Sequence, residues 1–499
     1  MLLVSRDGTR SRVWLQDKLW SQRASEQGRQ SLRQALTDIR RALGAERDLL
    51  SADRRNVSID LARIIMLPPE DDDAEFLEGF DVGDPEFEDW LIAQRVTRRP
   101  APAIGSADHA SVPRPQRAMR PAVLIQTQET QPGPIALTET LFADVIARSI
   151  GELLSVEIYR TQPEVAPGWL LLASVQCFRT ADGRLGLRAT LEDVAARRHV
   201  WADMAMAEAG GTICFDDAAF LALSNGLVSA LVQEVIAGPR RARGAVDANL
   251  LLTLAVRKIF TLRGDNLAEA DRMLRDAAEI EPRGLQHAWR AYLYSIQAVE
   301  RLVPDLDALS EIASACSACA LETEHENSYV LAAVANPRRV FDKNYAQSIE
   351  LARMAVRKNP ANPLAWSSLA GAKLYQGDAE AAHRFAVNAH ALAQRTAFKP
   401  WVDFQRSLTA AVNGNVDEAI RLSESASALA SSFRPPVRYL CAMYASDNRP
   451  GDAARAVRAL KSLEADFTVE RLANDPEYPV SLMRRTGLFS NRLIADIEA

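Results

Sequence analysis

The sequence predicts a multidomain α+β chain: a small basic head, a small α/β domain and a long all-α array of helical hairpins. Three observations predict it. Helical and strand-like hydrophobic periods alternate as far as residue 238, and from Val246 onward the pattern is helical, broken every 15 to 20 residues. A stretch with five prolines and little periodicity, residues 97–121, reads as an extended linker and a domain boundary. Small-residue motifs recur at intervals of 34 and 37 in the helical part.

The 499 residues carry 59 Lys+Arg against 65 Asp+Glu, a net charge of −6, and are 48% hydrophobic. Those values belong to soluble globular proteins of two to four domains. No apolar run approaches the roughly 20 residues of a membrane-spanning helix; the longest candidate, Trp169 to Phe178, is strand-sized. The opening MLLVSRDGTR turns charged after Ser5, too early for a secretory signal. Five cysteines (Cys177, Cys214, Cys316, Cys319, Cys441) in such a chain argue against a disulfide framework, so a reduced cytoplasmic protein is expected. Lys supplies only 7 of the 59 basic residues, a skew typical of GC-rich coding, so the placement of arginine carries more information than its abundance.

The head spans residues 1–62, and residues 1–60 hold 12 basic and 8 acidic side chains. Ser11–Ser21 reads as a helix capped by Ser11, with Val13, Trp14, Leu19 and Trp20 near one face. A second helix over about Glu26–Leu43 carries an apolar stripe of Leu32, Leu36, Ile39 and Leu43 and is stopped by Gly44. Gln30, Gln34, Thr37 and Arg41 fall opposite that stripe, with Arg33 and Arg40 on one flank and Arg29 nearby. Leu49–Ala52 and Val57–Leu61 read as strands around a turn that holds Arg54 and Arg55. Helix, turn, helix and basic-tipped hairpin is the plan of a winged helix. Its second helix would enter a major groove, where Gln and Arg make bidentate contacts to base edges, while the hairpin would touch phosphates or the minor groove. A Gln- and Arg-rich outer face is equally the pattern of a merely solvated helix.

Residues 63–96 form an acidic docking segment in which Phe76, Leu77, Phe80, Phe87 and Trp90 interleave with the acids. In the α/β domain, residues 122–238, Ala122–Thr127 reads as a strand and Thr138–Leu154 as a helix. Trp169–Arg179 and Arg184–Asp193 read as a hairpin around Asp182–Gly183, and Asp217–Ala237 as a helix ended by Gly238–Pro239. In the repeat region, residues 246–499, Ser348, Ala352, Ala355 and Pro360 mark a second-helix pattern. It recurs at Ala382, Ala386 and Ala389, at Ala419, Ser423 and Ala426, and earlier at Ala270, Leu274, Ala277 and Pro282. Trp366-x-x-Leu369-Ala370 opens a first helix, and Gly377 and Gly414 mark equivalent turns. The period resembles the tetratricopeptide repeat, in degenerate copies of which several first helices lack the consensus aromatic residues, and four to six hairpins are expected.

The segment LQDKLWSQRASEQGRQSLRQALTDIRRALGAERDLLSADRRNVSIDL resembles the winged-helix domain of bacterial transcriptional activators of the antibiotic-regulatory-protein type. Their pattern is an LW ending the positioning helix, a SLRQAL-x-x-[IL]RRALG recognition helix and an LL-x-AD-x-x-x-V wing. FLEGFDVGDPEFEDWL looks like the segment after that wing. The helix LFADVIARSIGELL and the hairpin SVQCFRTADGRLGLRATLEDVAARRHVWAD resemble a TolB-like module, which tetratricopeptide repeats commonly follow. The resemblance implies a DNA-binding transcriptional regulator. It would contact double-stranded DNA through Arg29, Gln30, Arg33, Gln34, Thr37, Arg40, Arg41, Arg54 and Arg55, and its repeats would meet a protein partner, RNA polymerase being one candidate. A homo-oligomer is compatible with this reading; a membrane partner is not expected. Family members carry a short sheet and a first helix ahead of the segment seen here. The head therefore reads as truncated at its amino end, leaving Leu32, Leu36 and Trp20 poorly covered.

Nothing in the pattern suggests an enzyme, a metal or a cofactor. Cys316-x-x-Cys319 lacks a second pair, and a structural zinc site needs four ligands. Cys177 and Cys214 read as core residues. The six histidines form no metal-binding cluster, and His383 and His390, seven apart, read as packing or surface residues. Gly210–Gly211 lacks a phosphate-cradling pattern. Asp71–Asp73 and Asp216–Asp217 read as solvated or capping carboxylates. Two rivals to the regulator stand: a protein-binding repeat scaffold with a vestigial head, and a signalling-enzyme relative without its catalytic domain.

Overall fold

The computed structural model describes residues 1–5, 8–21, 23, 25–64, 76–77, 80, 82–97, 121–128, 133–163, 167, 169–206, 218–237, 245–480 and 482–483. Most of the expected linker 97–121 and of the acidic run before Phe76, with Asp71–Asp73, Gly210–Gly211, Cys214, Asp216–Asp217, Gly238–Pro239 and His109, lies outside these residues. The chain divides into two compact units, Met1–Arg114 and Pro115–Ala499.

In the first unit, β1 (Thr9–Ser11) leads into α1 (Arg12–Leu19) and then α2 (Ser25–Leu43). Ser11 caps α1 by accepting from the Trp14 amide at 3.1 Å. Gly44 follows α2 at φ +57°, a left-handed value that costs glycine nothing and ends the helix. The hairpin β2 (Leu50–Ala52) and β3 (Asn56–Ile59) completes a three-stranded antiparallel sheet of order β1-β3-β2. Leu15, Leu32, Leu36, Leu50 and Val57 form its core, each burial contributing about 2 kcal/mol.

The core differs from the sequence expectation at three places. Val13 is 61% exposed and Leu15 is buried instead, because α1 turns its Leu15–Lys18 side inward. Ile39 is 47% exposed, so the apolar stripe of α2 narrows to Leu32 and Leu36 with Leu43 at its margin. Leu32 and Leu36 are not left uncovered. Leu15, Leu50 and Val57 bury them, with Met1, Leu2, Trp14 and Trp20 at the margin. Separately, the acidic segment supplies α3 (Pro85–Thr97), whose Phe87, Trp90 and Leu91 pack with Met1, Val4, Trp14 and Leu19 beside α1. Lys18, fully buried, pairs with Glu86 of α3 and with Asp17 at 3.2 Å, while Asp84 accepts from the Ser21 amide at 2.7 Å.

The second unit begins with a five-stranded sheet of order β5-β4-β6-β7-β8, formed by β4 (Ala122–Thr127), β5 (Glu157–Tyr159), β6 (Leu170–Arg179), β7 (Leu185–Asp193) and β8 (Arg198–Met206). β4 runs parallel to β5 and β6; β6, β7 and β8 are antiparallel. The β6–β7 turn sits where Asp182–Gly183 predicts it, with Gly183 at φ +82°. β5 and β8 were not marked by the alternation: β5 has three residues and β8 is half exposed. Helices α4 (Pro134–Leu153) and α5 (Ala218–Ala237) cover one sheet face, over Val123, Ile125, Leu171, Val175, Leu187 and Leu191. The expectation that no apolar stretch nears membrane-spanning length is corrected by α5. It has 20 residues and a mean hydropathy of 1.6 in its most apolar window, yet Phe220, Leu223, Leu227, Leu231 and Val235 face the sheet. Its few small polar residues escape a count of strictly apolar runs.

The repeats pair α6 (Ala245–Ile259) with α7 (Gly264–Ile280), α8 (Gly284–Val299) with α9 (Leu306–Glu324) and α10 (Ser328–Val340) with α11 (Tyr345–Lys358). α12 (Pro363–Gln376) pairs with α13 (Ala379–Leu392), α14 (Lys399–Val412) with α15 (Val416–Leu429) and α16 (Arg434–Ser446) with α17 (Pro450–Leu463). The short α18 (Val469–Asn474) follows. Among the described residues the paired helices make six hairpins, the upper end of the expected count. The predicted small residues Ala352, Ala355, Ala382, Ala386, Ala389, Ala419, Ser423 and Ala426 are buried on second helices, where they allow close helix approach. Gly377 and Gly414 turn at φ +102° and +81°.

The sheet domain is bolted to the repeats through the end of α4. Glu152 accepts from the Ser328 amide at 3.0 Å, the Ser328 hydroxyl at 2.6 Å and Asn359 Nδ2 at 2.7 Å. Burial pushes its carboxyl above the ordinary value, and these three donors partly offset that. Asn249 and Asn225 add bonds to Ser155 and Ala361.

Candidate functional site

Among the described residues, one region of interest lies in each unit. On α2, Arg29, Gln30, Arg33, Gln34, Thr37 and Arg41 are all exposed, as the helical period predicts. Their partners are surface neighbours. Arg29 and Arg33 lie 3.6 Å from Glu26, Arg41 lies 3.1 Å from Asp38, and Gln34 donates to Asp38 at 3.0 Å. Exposed pairs of this kind contribute little and exchange readily for other anions. Arg40, on the flank, is half-buried, and its Nε donates to the Leu50 carbonyl at 3.2 Å, fastening α2 to β2. Arg54 and Arg55 are exposed at the hairpin tip, where Asp53 accepts from the Arg55 and Asn56 amides at 2.6 and 2.7 Å.

The second region lies inside the repeats. The superhelix winds far enough for its early and late hairpins to touch. Ser432 donates to the Thr261 carbonyl at 3.2 Å, and the Phe260 ring centroid lies 5.5 Å from that of Phe398 and 6.1 Å from that of Trp401. The inner face holds an open cavity of about 560 Å³ walled by α8, α10, α12, α14 and α16, the starts of α9 and α11, and residues 476–479. Tyr375, Trp401, Phe404 and Tyr439 supply aromatic surface; Asn336 and Gln405 supply neutral polar groups, Arg301, Arg339 and Lys343 cationic ones, and Glu300 and Asp307 carboxylates. The Arg339 guanidinium lies 4.7 Å from the Tyr375 ring centroid, a cation–π arrangement. Gly371 lets Gln405 cross the cavity wall, since a Cβ there would stand 2.6 Å from Gln405 Nε2. Two of the first helices carry paired aromatic residues. Trp289 and Tyr292 on α8, and Trp401 and Phe404 on α14, recur at a spacing of three that presents them on one inner face.

At one end of this face Arg438, 2% exposed, bonds Glu300 at 2.7 Å and Glu464 at 2.6 Å. Burial alone would lower the Arg438 pKa; the two carboxylates outweigh it and raise it.

The remaining candidates resolve into packing. Cys316 and Cys319 lie on α9 with no disulfide, and burial pushes the Cys316 thiol up. Among the described residues no cluster of three metal-ligating side chains occurs. His383 and His390 join α13 to α14. His383 Nδ1 is 3.1 Å from the Thr409 hydroxyl and His390 Nδ1 is 2.8 Å from Asp403, which also pairs with Lys399.

No family model matches the chain, and no curated protein matches it. Among solved structures, pilF of Pseudomonas aeruginosa is similar at 15% identity, over 44% of this chain and 93% of that one, with a TM-score of 0.31. The Cut9–Hcn1 hetero-tetramer of the APC/C is similar at 12% identity, over 54% and 56%, with a TM-score of 0.37. Yeast Tom70 is similar at 16% identity, over 55% and 61%, with a TM-score of 0.31. The chain thus spans little more than half the length of the latter two.

Proposed function

We propose that the chain is a protein-interaction scaffold whose repeat region receives an extended segment of a partner on its inner face. The observation that carries this is the 560 Å³ cavity, in which aromatic walls converge with a few polar and cationic groups. In this reading the protein is non-catalytic and cytoplasmic. A photo-crosslinking amino acid at Tyr345, on the cavity rim, should capture a defined partner segment, and Arg339→Glu should abolish capture. The same group at Arg353, on the exposed side of α11, should capture none of it. Equal capture from both positions would overturn the scaffold reading.

A second reading, favoured by the exposed face of α2, makes the first unit a winged-helix head that binds duplex DNA. The second unit, its sheet domain read as TolB-like, would then receive a signal or RNA polymerase. Arg33→Ala and Gln34→Ala should each weaken specific binding by about 1–3 kcal/mol. Arg55→Ala should weaken binding to every sequence and flatten the salt dependence. Anisotropy titrations in which all three variants match the parent at several salt concentrations would reject this head as a DNA reader.

A further inference from the structure

Beyond α18 the chain leaves helical structure at Asp475 and turns back onto the inner face of the superhelix. Residues 475–480, Asp-Pro-Glu-Tyr-Pro-Val, form this strap, and Pro476 to Pro479 line the same cavity as the first helices. Two prolines keep it from extending α18, and charged and aromatic side chains seat it. Glu477 pairs with Arg301 at 2.6 Å, the Tyr478 hydroxyl donates to Glu464 at 2.7 Å, and the Tyr478 ring centroid lies 5.4 Å from the Arg438 guanidinium. The strap is tightly turned, the Tyr478 amide donating to the Asp475 carbonyl at 3.1 Å, and it shows which chemistry this face accepts: a carboxylate beside an aromatic ring.

The face continues past the strap. There the open cavity meets Arg339 and Lys343, neither of which has an acidic partner among the described residues, next to the Tyr375 and Trp401 rings. Here both cation and ring belong to the wall, Arg339 standing 4.7 Å from the Tyr375 ring centroid and bonded to Asn336, and these cations, like Arg301 under Glu477, can receive an occupant's carboxylate.

We propose that residues 475–480 are an intramolecular occupant of a peptide groove. A partner protein's segment of the same chemistry, acid next to aromatic, displaces the strap and runs on toward Arg339 and Lys343. The inference rests on the scaffold reading and adds the partner's chemistry and a self-occluded state. A tethered occupant competes at an effective concentration in the millimolar range, so a partner in trans meets a partly closed groove.

The test uses the full chain and a labelled peptide of residues 474–480 (NDPEYPV) as probe. Tyr478→Ala should bind the probe at least tenfold more tightly than the parent, Tyr478→Phe should lie between them, and adding Arg301→Glu to Tyr478→Ala should remove the gain. Hydrogen exchange on the unmodified protein gives a readout free of folding defects: the Glu477, Tyr478 and Val480 amides should exchange by local opening, well before those of α16 and α17. Exchange of these amides only together with α17, or equal probe binding by all variants, overturns the proposal and makes the strap a structural cap. Cavity crosslinks that capture a partner equally with and without Tyr478→Ala would sink the strap while leaving the scaffold standing. Failure of capture from the cavity in both would remove the scaffold reading itself.

Discussion

Arg438→Met tests how the superhelix is held closed. Arg438 on α16 meets Glu300, at the end of α8, and Glu464, at the end of α17, and all three side chains are nearly inaccessible. Removing one member of a buried ionic group costs about 3–5 kcal/mol, because the charge left behind keeps its desolvation penalty. Here each orphaned carboxylate keeps a second donor: Arg434 stands 3.5 Å from Glu300, and the Tyr478 hydroxyl bonds Glu464. The expected loss is therefore near the lower bound, about 3 kcal/mol. With a urea dependence of about 3 kcal/mol/M, the unfolding midpoint should fall by about 1 M. The triple variant Arg438→Met, Glu300→Gln, Glu464→Gln should recover most of that loss, since no bare charge remains. Urea titrations followed by tryptophan fluorescence read both effects, with Trp401 close to the joint. A midpoint unchanged in Arg438→Met, or a triple variant less stable than the single one, would refute the reasoning.

Two further outcomes follow from the packing. Gly284→Ala should destabilise the α8–α9 hairpin by about 1–3 kcal/mol, because the new Cβ would stand 2.6 Å from the Ala320 carbonyl oxygen; thermal unfolding measures it. Asp403 is buried, which would raise its carboxyl pKa, but bonds from His390 and Lys399 outweigh burial and hold it below the ordinary 3.8. A depressed carboxylate stabilises the fold above its unfolded pKa, and that contribution is lost as pH falls from about 4 through the lower folded value. Asp403→Asn should lose about 2 kcal/mol at pH 7 and show a flatter stability profile below pH 4 in urea titrations across pH.

Most elements were legible because their causes are local. The Ser11 cap, the Gly44 stop, the Asp182–Gly183 turn and the alanine rows of the second helices each depend on residues within a few positions of one another. The outward Arg and Gln face of α2 followed from a single helical period, apart from Arg40, whose bond to Leu50 joins two elements. The inner cavity was not legible. Its aromatic residues are visible in the sequence, but their convergence depends on how far the superhelix winds.

By itself, then, the amino-acid order determined the hairpin count within a narrow range, the sheet-and-helix character of residues 122–238 and the exposed face of α2. Tertiary structure alone decided that Lys18 would be buried against Glu86, that Ile39 would face solvent, and that Glu152 would join sheet domain to repeats across 176 positions. It also decided that Arg438 would meet Glu300 across 138 positions and that the chain's own strap would lie in the groove. Short-range periodicity reports which side of an element is apolar. Which distant surface that side meets depends on small rotations between successive hairpins, and these accumulate only when the whole array is assembled.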